Sequence, residues 1–155
     1  MRQKIRKIII LFFCLYSAFF FLGSLLAPIM AYMKQYDFSA LLTSLYMYSC
    51  HQQPDRSFWI FGYPMALCSR CFGFYFGVIV FGIFELLNKL KISLKTFIIL
   101  LIITVIDIII NYGLPQRYNT GNITRFVVGM IMGLLFVVIL SFLLKKEWRV
   151  VRHEN

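Results

Sequence analysis

Apolar and polar positions divide the chain into four long apolar runs, at 8–33, 67–87, 97–114 and 126–144, separated by short polar stretches. Each approaches the roughly 20 apolar residues that cross a bilayer as helix. The connection 34–66 holds a shorter apolar stretch, FSALLTSLYMY at 38–48, too short to span and suited to an interfacial or re-entrant helix. Pro54, Gly62 and Pro64 interrupt regular structure, which predicts a compact outer loop over 50–64 and puts residues 68–71 at the mouth of the second helix.

Composition supports this reading. The chain is 61% hydrophobic and 14% charged, whereas a soluble domain is about 45–50% apolar. No linker, repeat or low-complexity stretch divides residues 1–155, so the expectation is a single four-helix domain, an all-α integral membrane protein. The first run follows the basic start MRQKIRK, but it is longer than the roughly 7–15 apolar residues of a secretory signal core and reads as a retained helix.

Charge adds orientation. Of 16 Lys and Arg residues, eleven flank the runs on one side: Arg2, Lys4, Arg6 and Lys7; Lys89, Lys91 and Lys95; Lys145, Lys146, Arg149 and Arg152. The positive-inside rule then places both termini in the cytoplasm of a multi-pass protein of the cell membrane, with 34–66 and 115–124 facing outward. The basic balance reads as topology, not nucleic-acid binding.

The chemistry concentrates in the outer loop. Cys50, His51, Cys68 and Cys71 offer three sulfurs and one imidazole, the ligand set of a zinc site. Cys-x-x-Cys bites one ion from a turn or helix start, whereas adjacent Cys50 and His51 would have to splay, so either one or both complete the site. With four ligands the site is closed and structural. With three, the open position holds water, and Asp107 and Arg125 are the candidates to assist hydrolysis of an anionic lipid-like substrate. Cys14, alone in the first run, reads as an ordinary buried cysteine.

Asp107 lies about 10 Å inside the third run at 1.5 Å per residue, with Asn111 one turn further out; Arg125 is its expected countercharge. The arginines Arg56, Arg70, Arg117 and Arg125 gather at the outer side against the positive-inside trend, which suggests an anionic lipid or small anion, with Arg56 and Arg70 as contacts. Glu85 would snorkel or meet Lys89 one turn on, and His153 reads as solvated. Two G-x-x-x-G patterns, Gly73/Gly77 and Gly129/Gly133, predict close packing of the second and fourth helices and offer faces for oligomerisation.

The string Cys50-His51-Gln52-x-Pro54-x-Arg56-Ser57-Phe58, followed by Pro64-x-x-Leu67-Cys68-x-Arg70-Cys71-x-Gly73-x-Tyr75-x-Gly77, resembles the signature of small prokaryotic membrane proteins grouped as domain of unknown function 2085. The similarity continues through Asp107, Arg125, Gly129 and Gly133. It implies a multi-span membrane protein whose Cys, His, Asp and Arg belong together, without naming an activity.

Three functional readings follow: a metal site at the outer membrane face, zinc foremost; a thiol–disulfide oxidoreductase passing electrons from Cys68 and Cys71 to a quinone, with Cys50 as relay; and a non-catalytic partner or transporter subunit. The relay expects a second loop cysteine that this loop lacks, which ranks redox below metal.

Overall fold

The computed structural model describes residues 2–90, 92–113 and 121–150. Its elements run α1 (Arg2–Tyr32), α2 (Tyr36–Leu45), a 3-10 turn (Pro54–Arg56), β1 (Ser57–Ile60), β2 (Tyr63–Cys68), α3 (Ser69–Leu86), α4 (Leu94–Gly113) and α5 (Asn122–Val150). Arg117, Arg152, His153 and Lys91, with most of the 115–124 connection and the Asn111 side chain, lie outside what is described.

Three helices among the described residues are long and apolar enough to cross a membrane: Gln3–Tyr32, Ser69–Leu86 and Asn122–Leu144. The first begins well before the apolar run because the charged start stays helical. α1 and α3 both end on a non-glycine residue in the left-handed region, Lys34 (φ 62) and Asn88 (φ 55). The next amides fold back, Gln35 to Met30 and Lys89 to Phe84, a Schellman closure that satisfies the last carbonyls.

α3 and α5 pack most extensively, in parallel, through their glycines. A Cβ on Gly73 would strike the Phe126 carbonyl, and one on Gly129 the Arg70 carbonyl; Gly77 and Gly133 meet the Met130 and Phe74 carbonyls one turn further on. Bare backbone on both sides permits this approach. The two faces expected to serve oligomerisation are thus occupied within the chain.

α4 is built inside out relative to a soluble helix. Of its side chains from 94 to 110, those fully buried are Thr104 and Asp107, while Ile98, Ile99, Ile102, Ile103, Ile106 and Ile109 are exposed. Water would oppose that arrangement, and hydrocarbon accepts it.

To a mostly helical fold the structure adds the β1–β2 hairpin, which pairs Ser57 with Cys68 and Ile60 with Tyr63. Phe61 (φ 52) and Gly62 (φ 80) form its two-residue turn, the paired positive-φ geometry that matches strand twist. Read along the chain, Gly62 and Pro64 are breakers; in three dimensions they sit at the tip and the edge of a hairpin. Phe61, strained at positive φ, stacks on Tyr32 with ring centroids 4.7 Å apart, which ties the tip to α1. Leu67 and Cys68 consequently belong to β2, and the second helix starts at Ser69.

Candidate metal centre

The site is assembled from three local structures. After α2, the amides of Ser49 and Cys50 both donate to the Tyr46 carbonyl at 2.9 Å, which closes a turn and aims Cys50 inward. Tyr46 is anchored by its hydroxyl donating to the Phe20 carbonyl of α1 at 3.1 Å, over Gly23. Gln52, in the left-handed region at φ 50, donates from its side chain to the Thr43 carbonyl at 2.5 Å. Cys68 ends β2 as the N-cap residue of α3, and Cys71 lies in that helix's first turn.

The sulfurs of Cys50, Cys68 and Cys71 all lie within 4.8 Å of one another, and the cysteines are free thiols. Tetrahedral zinc with Zn–S bonds near 2.3 Å sets sulfurs about 3.8 Å apart, so the cluster admits one ion with small side-chain adjustments. The Cys68 amide donates to Cys50 Sγ at 3.2 Å. Hydrogen bonds from the Cys50 and Cys71 thiols hold the Cys68 thiol well below the usual range, and the amides of Cys71 and Arg70 add to the effect. Cys50 is pushed up, first because its thiol is donor to Cys68, with burial adding.

His51, the fourth member of the expected ligand set, is exposed, and its ring is not among the ligand atoms that cluster. It stands instead on the wall of a cavity of about 120 Å³ that the three cysteines also line. Arg56, Arg70 and Arg125 enter the same cavity, with Ser49 and Gln53 completing its wall. These last two carry no motif signal; only proximity to Cys50 and Pro54 in sequence would have suggested them.

Asp107, for which the chain suggests Arg125 as countercharge, also has a partner on α3. Arg70 Nη2 donates to Asp107 Oδ2 at 2.6 Å. Arg70 sits in the first turn of α3 and reaches α4 from there, a contact that chain separation hides. Arg125 is buried at 4% exposure and faces the cavity from the first turn of α5. Two hydrogen bonds fix the frame around these arginines: Ser69 Oγ donates to the Arg56 carbonyl at 2.9 Å, and Asn122 Nδ2 to the Ser57 carbonyl at 3.0 Å.

Cys14 is buried within the bundle against Gly82, away from the triad. Glu85, expected to snorkel or meet Lys89, is buried at 4% exposure instead, 3.5 Å from Arg6, and accepts a hydrogen bond from Ser141. The Schellman closure turns Lys89 away from the helical path, while Arg6 of α1 also donates to Asn88 Oδ1 at 3.0 Å. α1, α3 and α5 are therefore bound together at the end opposite the cysteines.

Fold and site together define a helical membrane-type protein with a cysteine triad set against an arginine-walled cavity. The chain belongs to the family described as Predicted membrane protein (DUF2085), whose profile matches residues 50–139. It is similar to an uncharacterized protein of Methanocaldococcus jannaschii, 36% identical over 132 residues, covering 76% of this chain and 81% of the relative. A second uncharacterized protein, from Methanothermobacter thermautotrophicus, is 27% identical over 99 residues, covering 63% of this chain and 89% of that one. No solved structure matches.

Proposed function

We propose that this is a four-span membrane protein of the cell membrane, both termini cytoplasmic, whose outer face carries a metal centre held by Cys50, Cys68 and Cys71. Zinc is the first choice, since it favours thiolates and tetrahedral geometry. The observation that carries the reading is the convergence of three reduced sulfurs, from a turn, a strand end and a helix start, within 4.8 Å. α4 supplies the fourth span: its buried polar Thr104 and Asp107 and its exposed isoleucines suit a lipid-facing helix. α2 lies in the interface, with Phe38, Leu41 and Leu45 exposed.

With three protein ligands an ion would keep one coordination position for water or another ligand, and His51 is a wall residue rather than a ligand. A bound ion would supply Lewis acidity and lower the pKa of its own water. The residues of the chain itself orient what enters. Arg125 and Arg56 present guanidinium donors to the cavity, and Asp107 acts as a positioning residue that holds Arg70 in place.

The experiment is metal analysis of the full chain purified in detergent without chelator, with free thiols counted in parallel. Near one zinc per chain, lost in Cys68→Ser and kept in Cys14→Ser, is the expected result. A rival reading, a thiol–disulfide oxidoreductase passing electrons to a quinone, draws on the thiolate bias of Cys68 beside Cys71. In it the pair would lose two electrons and two protons to the quinone and form a disulfide. Metal-free protein with a Cys68–Cys71 disulfide would favour that reading and overturn the metal centre.

A further inference from the structure

The arginine side of the cavity has a chemistry separate from the sulfurs. Arg56 comes from the 3-10 turn, Arg70 from the start of α3 and Arg125 from the start of α5, so three elements distant in sequence converge on about 120 Å³. Arg125 is 4% exposed, and the side chains of Arg70 and Arg56 are 14% and 23% exposed. Bringing three cations this close at a membrane face is unfavourable without anionic compensation. Asp107 offsets Arg70. Asp55 is 4.0 Å from Arg56, but its side chain is 68% exposed, so it offsets little. A cavity walled by three guanidinium side chains draws anions toward it.

Donor geometry narrows the class of that anion. Each guanidinium is a planar fork of N–H donors suited to paired oxygens, and thiolate sulfurs are poor partners for it. Guanidinium side chains contributed by three separate elements suit a tetrahedral oxyanion, whose oxygens diverge, better than a planar carboxylate with two. The volume is roughly ten times the minimum that holds one water, enough for a phosphate group. The cavity also lies at the N-terminal ends of two candidate spans, the ends at which a spanning helix meets the headgroup region.

We infer that the cavity walled by Arg56, Arg70 and Arg125 binds a phosphate-class oxyanion, as free phosphate or as the headgroup of a phosphomonoester lipid. The inference rests on the outward-facing site proposed above for its neighbour and its membrane depth, while its binding groups are the arginines and not the metal.

The test titrates the full chain in detergent with inorganic phosphate by calorimetry. A second arm repeats it in nanodiscs of phosphatidylcholine with and without phosphatidic acid, and zinc is measured on every sample. Expected is saturable binding near one phosphate per chain, weakened tenfold or more in Arg56→Gln and in Arg125→Gln. Binding should persist in Cys68→Ser after its zinc is gone. Arg56→Gln, at the more exposed position, keeps the test valid if Arg125→Gln does not fold. Phosphatidic acid that blocks the phosphate titration identifies the lipid headgroup as the source, and an unchanged titration identifies the free anion; either supports the site. Absence of saturable binding of phosphate or phosphatidic acid to folded wild-type protein overturns it, as does binding unaltered in the folded arginine variants. Zinc without phosphate binding sinks this inference alone, and phosphate binding without zinc sinks only the metal centre.

Discussion

Arg70 and Asp107 form a buried ion pair, Nη2 to Oδ2 at 2.6 Å, that joins α3 to α4 one residue from Cys71 and two from Cys68. Arg70 faces the cavity while its charge is held from behind by α4. Removing one partner leaves a charge in a low-dielectric interior, which typically costs about 3–5 kcal/mol. Asp107→Ala should therefore lower the melting midpoint in detergent sharply. The double variant Arg70→Met/Asp107→Leu should recover most of the loss, because a matched apolar pair carries no buried charge. A single variant as stable as wild type would contradict the pairing.

At the opposite end, Glu85 is held by Arg6 and Ser141. Glu85→Ala should destabilise by about 3 kcal/mol, whereas Lys89→Ala should stay within about 0.5 kcal/mol. Thermal unfolding followed by size-exclusion fluorescence distinguishes them; equal losses would restore Lys89 as the partner.

The glycine crossing gives a steric prediction. Gly73→Val drives a side chain into the Phe126 carbonyl, and overpacking against backbone costs about 1–3 kcal/mol or more. Gly121→Ala, with nothing within 4 Å of its added Cβ, should be near neutral. Monodispersity and melting of the two variants read this out, and a well-folded Gly73→Val would rule out the close α3–α5 approach.

The thiols of the metal-free protein should titrate apart. Cys68, with its folded pKa lowered by its thiol neighbours, contributes stability that is full above the ordinary thiol value near 8.5 and declines as pH falls toward the folded value. Cys50, raised, contributes stability below that ordinary value and loses it as pH climbs through its own. After chelation, iodoacetamide at pH 6 should label Cys68 well before Cys50, as mapped by mass spectrometry. Equal labelling of both would refute the asymmetry.

What the chain revealed in advance depended on whether partners were close in sequence or of a telling type. Cys68 and Cys71 are spaced to bite one ion, and Cys50 shares their loop, so the triad was legible. α2 was legible from its short apolar stretch. The hairpin was not, because Gly62 and Pro64 signal a break without saying that strands close on it. The Arg70–Asp107 pair was not legible, since nothing local says that Arg70 reaches across to α4. Glu85 was matched to Lys89 by helical spacing, but the left-handed turn at Asn88 removes Lys89 from that face and α1 supplies Arg6. His51 lies next to Cys50 in sequence but stands on the cavity wall, outside the sulfur cluster.

The central claim is a three-cysteine metal site with one corner open. X-ray absorption at the zinc edge of the purified full chain tests it most directly. The account predicts three sulfurs near 2.3 Å plus one oxygen, a shell that is unchanged in His51→Ala. An imidazole in that shell that disappears in His51→Ala, or protein without metal, would contradict it.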